Sequence, residues 1–452
     1  MRLQQAGAYR SRALRFGVLV AAILATLWAC PAAAAPAPAG APPTAVTRAA
    51  PTPVEPLRLR LGLIEGLSGP FANAGEAVER NFVFAVERIN ARGLLVAGRP
   101  LLLDLVSLDS KGEVEGALQA LQAAADRDIR IVLQGNSSAV AGGIIAAIDR
   151  HNVRNPGREM LFLNYSAIDP ALTREKCSFW HFRFDADLGM RLTALLGPLK
   201  DDTSVRRVYL INQNYSFGQQ FSRLARERLA RARPDIEIVG DDLIPIGRVK
   251  DFGPYAQKIR TSNADVVLTG NWGNDLTLLV RAARESALET RFLTFYANGL
   301  GAPAAIGDAG AGRVMAVAEW HYNADAPGMR QTYAAFTKRF PKPSEDYFHA
   351  RMLLMTEMLA AAAVAAGSPE PPAIAAALEG MSIQQGGVSM TMRAADHQVQ
   401  TDLYLSMMDH AGADGVELDI EGSGYGFRTV AKVPAAEVSE PPECRMSRPV
   451  SR

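Results

Sequence analysis

Six histidines, three cysteines and one glycine-rich segment are the residues best suited to catalytic or metal chemistry in this sequence. His151, His181, His321, His349, His397 and His410 are scattered, and none has a partner at metal-ligand spacing. Cys30, Cys177 and Cys444 form no C-x-x-C pair, which argues against a zinc or dithiol motif. There is no G-x-S-x-G, no G-x-x-x-x-G-K-[ST] and no H-E-x-x-H. Gly422-Ser423-Gly424-Tyr425-Gly426 has the composition of a phosphate-cradling loop but lacks the strand–helix context, so it reads as a turn. His181 and His321 read as hydrogen-bonding residues. The sequence therefore predicts no enzymatic activity, no metal and no cofactor.

Charge narrows the partners. Lys plus Arg number 48 against 47 Asp plus Glu, a net charge of +1. Such a balance gives no case for nucleic acid or for a polybasic membrane surface. Residues 1–34 read as a signal peptide: Arg10, Arg12 and Arg15 precede an apolar run from Phe16 to Ala29, followed by small residues at Ala32–Ala35. That run is too short for a spanning helix, which needs about 20 residues. A Pro/Ala-rich linker fills 35–56. Export to the periplasm follows. Leu27-Trp28-Ala29-Cys30 also resembles a lipobox, so anchoring through Cys30 is the alternative to a soluble secreted form.

The elements that must position any site follow from periodicity. Leu57–Ile64 reads as a strand entering a buried sheet, and Ala74, Val78, Phe82, Ala85, Val86 and Ile89 recur at helical spacing. The same grammar repeats: strands at 101–106, 129–133 and 160–164, with helices at 114–125 and 139–151 between them. A second series has strands at 205–212, 236–243, 264–268, 292–297 and 314–319, with helices at 217–231, 255–260 and 274–285. A long helix, 348–366, a strand, 402–408, and a Gly-rich tail complete the chain. Two βαβ series predict an α/β protein with two lobes and mostly parallel sheets. In such folds ligands sit between the lobes, at the carboxyl ends of the strands.

The residues at those strand ends carry a resemblance. Leu67-Ser68-Gly69-Pro70, Gly75, Ile89-Asn90-Ala91-Arg92-Gly93, Gln134-Gly135-Asn136-Ser137-Ser138, Asp169-Pro170-Ala171-Leu172-Thr173, Tyr215-Ser216-Phe217-Gly218 and Lys250-Asp251-Phe252 occur in an order and spacing similar to the leucine/isoleucine/valine-binding proteins. These are type I periplasmic binding proteins of ABC importers. The resemblance runs from about residue 57 to 410. It implies two Rossmann-like lobes joined by three crossovers, with lobe one at 57–185 plus 322–388 and lobe two at 186–320 plus 390–452. It further implies a monomer that delivers a small ligand to an ABC permease in the inner membrane. A periplasmic sensor reporting to a membrane receptor is the alternative. Cys177 lies before the first crossover and Cys444 in the tail, so an exported protein would join them in a disulfide.

The resemblance also places a site. Ser138, with Ser137 beside it, matches the hydroxyl that receives a carboxylate, and Ser166 and Ile168 match the following donor loop. Helix capping is the competing role for both serines. Phe217, Trp272 and Tyr347 match aromatic positions over the cleft. Where the family carries an acid for the ligand's ammonium, this chain reads Thr294-Phe295-Tyr296-Ala297-Asn298-Gly299, and Tyr296 replaces the carboxylate. Ala74 stands where relatives carry a large aromatic. Glu65, Asp275 or Glu319 could compensate for the missing acid, or could be solvated or hinge residues. The expected ligand bears a carboxylate and is not necessarily an α-amino acid.

Overall fold

The computed structural model describes residues 55–449. The signal-peptide, linker and Cys30 readings lie almost wholly outside the described residues. Among these residues the recurring pattern is a short strand followed by a helix. The first series is β1 (Leu57–Glu65), α1 (Ala72–Asn90), β2 (Leu95–Val96), β3 (Arg99–Asp109), α2 (Val114–Asp126), β4 (Ile131–Gln134), α3 (Ser138–Arg154), β5 (Leu161–Asn164) and β6 (His181–Arg183). Its sheet has the order β2-β3-β1-β4-β5-β6, parallel except for the β2–β3 hairpin. Leu61, Leu63, Leu133 and Leu163 are buried between its helical layers, which is why these strands read as continuous apolar runs.

After α4 (Leu188–Leu196) the second series runs β7 (Arg207–Gln213), α5 (Ser216–Ala232), β8 (Glu237–Ile244), α6 (Gly253–Thr261), β9 (Val266–Thr269), α7 (Gly273–Glu285), β10 (Arg291–Thr294), α8 (Ala302–Ile306) and β11 (Val314–Ala318). The chain then returns to the first lobe through α9 (Pro327–Arg339), α10 (Ala350–Ala366) and α11 (Pro371–Leu378), with α10 packed on α1 and α11. A small antiparallel sheet of β12 (Ser382–Gln385), β13 (Val388–Met392) and β14 (Val399–Gln400) follows. Finally β15 (Leu403–His410) and β16 (Tyr425–Val433) extend the second sheet, whose order is β16-β15-β11-β10-β9-β7-β8. The result is the two-lobed, mostly parallel α/β architecture that the alternation predicts.

Three boundaries differ from the sequence reading. The strand predicted at 292–297 stops at Thr294 and releases Phe295–Ala297 into a loop. The long helix begins at Ala350, leaving Tyr347–His349 outside it, with His349 extended (φ −124°). The small sheet runs unbroken past 388–390, where a lobe boundary is expected, and Gln398 pairs with Arg183 of β6. The segment read as a Gly-rich tail contains β16, an antiparallel partner of β15.

Beyond β16 the chain crosses back to the first lobe. Glu440 accepts from both Arg174 and Arg228, and Cys444 is bonded to Cys177 across 267 residues, with a Cα separation of 5.7 Å. A crosslink closing so long a loop removes conformational freedom from the unfolded chain, about 5 kcal/mol at most. Non-reducing peptide mapping should recover a Cys177–Cys444 peptide pair, and C177S/C444S should melt at lower temperature. Two alkylatable thiols in the native, unreduced protein would contradict this assignment.

Candidate functional site

The carboxyl ends of the two sheets face one another across a cleft of about 690 Å³. From the first lobe its wall includes Asn136, Ser138, Ser166 and Ile168, and from the segment before α10, Tyr347 and His349. From the second lobe come Tyr215, Phe217, Trp272, Thr277, Tyr296 and Asn298. Seven of the eight ligand residues read from the sequence therefore meet at one cavity. The eighth, Ser137, does not line it. Its hydroxyl caps α3 by accepting from Val140 N, 3.4 Å away.

Ser138 sits one residue further on, at the start of α3, buried with its Oγ accepting from Asp169 N at 3.3 Å. The Ile168 N–H, in the loop after β5, has no backbone or side-chain partner among the described residues. A hydroxyl, a free amide and the positive end of a helix converging in a buried cleft suit an anion. The close packing behind them needs glycine: a Cβ at Gly135 would lie 2.7 Å from the Tyr165 ring and from Ser166 N.

The aromatic wall follows from the strand-end loops. Trp272, released from β9, donates from Nε1 to Tyr215 Oη at 2.9 Å. Phe217 lies 5.8 Å from the Tyr215 ring. Phe71, from the loop leading into α1, reaches across the mouth and packs on Trp272 with centroids 5.0 Å apart. Gly247 accommodates it, since a Cβ there would come within 3.1 Å of the Phe71 ring. Burial raises the pKa of Tyr215, Tyr296 and Tyr347, the last pushed up to about 12, so all three stay neutral phenols.

Among the described residues, no carboxylate, lysine or arginine lines the cleft. The three acids considered as substitutes are all committed elsewhere. Glu65 is buried, accepting from Gly135 N, Asn136 N and the Tyr165 hydroxyl. Asp275, also buried, accepts from Gln213 Nε2 and Gly247 N, each at 2.8 Å. Glu319, at the crossover after β11, holds Arg351 Nη1 at 3.2 Å. None is solvated, and only Glu319 stands at the hinge.

In the sequence Arg351, with His349 and Glu357, argues only that the long helix is buried or half-buried rather than membrane-spanning, and it has no place in the expected site. It lies 3% exposed. Its Nε donates to Tyr165 O at 3.0 Å and lies 3.4 Å from Asp185 Oδ2; Nη1 reaches His349 Nδ1 at 2.8 Å, and Nη2 reaches Ser166 Oγ at 3.3 Å. Asp185, at the first crossover, also binds Arg191 at 2.6 Å. His181 and His321, as expected, make hydrogen bonds, to Asn164 at 3.2 Å and Thr429 at 2.8 Å. Tyr215 and His349 were also missed as site residues. Tyr215 was legible from its place two residues before Phe217, and His349 from the break before α10.

With this geometry in hand, relatives bear on the site. Residues 58–414 match the family described as periplasmic binding protein. The chain belongs to the periplasmic binding proteins. It is 31% identical over 405 residues to the Leu/Ile/Val-binding protein homolog 4 of Brucella melitensis, covering 86% of this chain and 93% of that protein. The solved leucine-, isoleucine-, valine-, threonine- and alanine-binding protein of Brucella ovis, in a closed conformation, is 28% identical with a TM-score of 0.76, covering 88% of this chain and all (100%) of that one. A solute-binding protein of an ABC transporter from Rhodopseudomonas palustris, in complex with 3,4-dihydroxybenzoic acid, shares the fold alone: 15% identity, TM-score 0.70, covering 84% and 98% of the two chains.

One loop of this periplasmic binding protein carries a titratable support. Gly299 and Leu300 line the cleft, and the next residue, Gly301, donates its N–H to Glu421 at 2.5 Å. Burial, reinforced by Asp346, pushes the Glu421 carboxyl up to about 7. An acid raised in the native state contributes stability that is present below the usual carboxylate range and lost as pH rises through about 7. Asp346, likewise raised by burial, acts in the same direction. The melting temperature of E421Q should therefore gain on wild type between about pH 5 and about pH 8. Parallel curves across that range would contradict this reading.

Proposed function

We propose that this protein is the extracytoplasmic binding component of an ABC uptake system of the branched-chain amino acid type. It works as a monomer, closes on a small carboxylate that lacks a protonated α-amino group, and delivers it to an inner-membrane permease. The observation that carries the reading is the lining of the cleft: anion donors at Ser138 and Ile168, and no carboxylate among the described residues of its wall.

The physical reason is the cost of an unpaired charge. A free α-amino acid would bring an ammonium into a closed cleft where Tyr296 stands in place of the acid. Leaving it without a counter-ion costs several kcal/mol, on the order of two decades of affinity or more. An apolar or aromatic carboxylate avoids that cost and buries its body against Phe217, Trp272 and Tyr347.

Calorimetry of leucine beside its deaminated analogue, 4-methylpentanoate, makes the comparison directly. The analogue should bind about a hundredfold more tightly or better. Submicromolar leucine binding with a weaker analogue would show that another group supplies the missing charge, and this reading would fall.

A further inference from the structure

Four polar groups that line the cleft each accept from a protein donor. Ser138 Oγ accepts from Asp169 N, Tyr215 Oη from Trp272 Nε1, Ser166 Oγ from Arg351 Nη2, and His349 Nδ1 from Arg351 Nη1. A guanidinium can only donate, so His349 carries its proton on Nε2. That nitrogen has no partner among the described residues, and the residue lines the cleft. Each of the three hydroxyls keeps its O–H to donate, beside a second lone pair. On His349 the free nitrogen can only donate.

Two of these groups are neighbours by construction. Ser166 and His349 are held by the two terminal nitrogens of one guanidinium, and both residues line the cleft. A carboxylate received at Ser138, Ser166 and Ile168 would place its second carbon next to His349. An ammonium at that carbon would meet a donor, N–H against N–H. An oxygen there would meet a hydrogen bond.

We infer that the ligand is a 2-oxo acid with an apolar side chain, its keto oxygen accepting from His349 Nε2 and its carboxylate from the Ser138–Ile168 donors. This deepens the functional reading above and rests on it. Burial beside Arg351 lowers the imidazole pKa well below its usual value, so His349 remains a neutral donor suited to a carbonyl. Nothing covalent is required of it.

The test uses the mature protein with leucine, 4-methylpentanoate and 4-methyl-2-oxopentanoate in one calorimetric series. The 2-oxo acid should bind about five- to tenfold more tightly than 4-methylpentanoate, the worth of one added neutral hydrogen bond. H349F should bring that ratio to about one, whereas H349Q, which keeps a donor, should retain a preference; circular dichroism melts of both variants report whether the fold is intact. Equal affinity of wild type for the two carboxylates overturns the 2-oxo assignment and leaves the wider reading standing. Leucine binding more tightly than both overturns the wider reading itself. No binding of any of the three overturns the 2-oxo assignment for aliphatic acids of this size.

Discussion

The site depends on how one buried guanidinium distributes its donors. Arg351 ties the first crossover at Asp185 to the second at Glu319, and from the same nitrogens reaches the cleft floor at Tyr165, Ser166 and His349. A charge so deeply buried persists only when it is paired and fully hydrogen-bonded. Arg351 meets that demand with two carboxylates, a carbonyl, a hydroxyl and an imidazole. Removing one partner would strand the rest, at about 3 to 5 kcal/mol for a buried pair.

That arrangement has a consequence for recognition. Arg191 and Arg351 are matched by Asp185 and Glu319, so the charges near the hinge satisfy one another and none is left to face the ligand. What the cleft offers instead is neutral donors and aromatic surface. It also links the site to motion. The groups that would touch a ligand share a cation with two of the crossovers about which the lobes would turn, and Phe71 on Trp272 closes the mouth from the opposite side. Binding and closure are then two readings of one hydrogen-bond network.

Much of this was legible in the chain. The alternation of buried strands and amphipathic helices is written in Leu57–Ile64 and its repeats, because parallel strands covered on both faces must be apolar throughout. Ser138, Ser166 and Trp272 were picked out by the family resemblance that the strand-end residues carry, and the fold brings them to one cleft. The misses have physical causes as well. Phe292–Ala297 is apolar to its end and gives no sign that the strand stops at Thr294. The strand Tyr425–Val433 is an edge strand with only two of its nine residues buried, and its flanking glycines resemble a loop. Ser137 and Ser138 are identical in type, and only the helix start decides which one caps. Arg351 is invisible to pattern reading because its partners, at 165, 185 and 319, are far away in sequence.

A crystal structure of the protein with a bound aliphatic carboxylate tests the central claim most directly. The account predicts the carboxylate at Ser138 Oγ and Ile168 N, with Arg351 still bonded to Asp185, Glu319, Ser166 and His349. An Arg351 or Glu319 side chain withdrawn from that network to contact the ligand would contradict it.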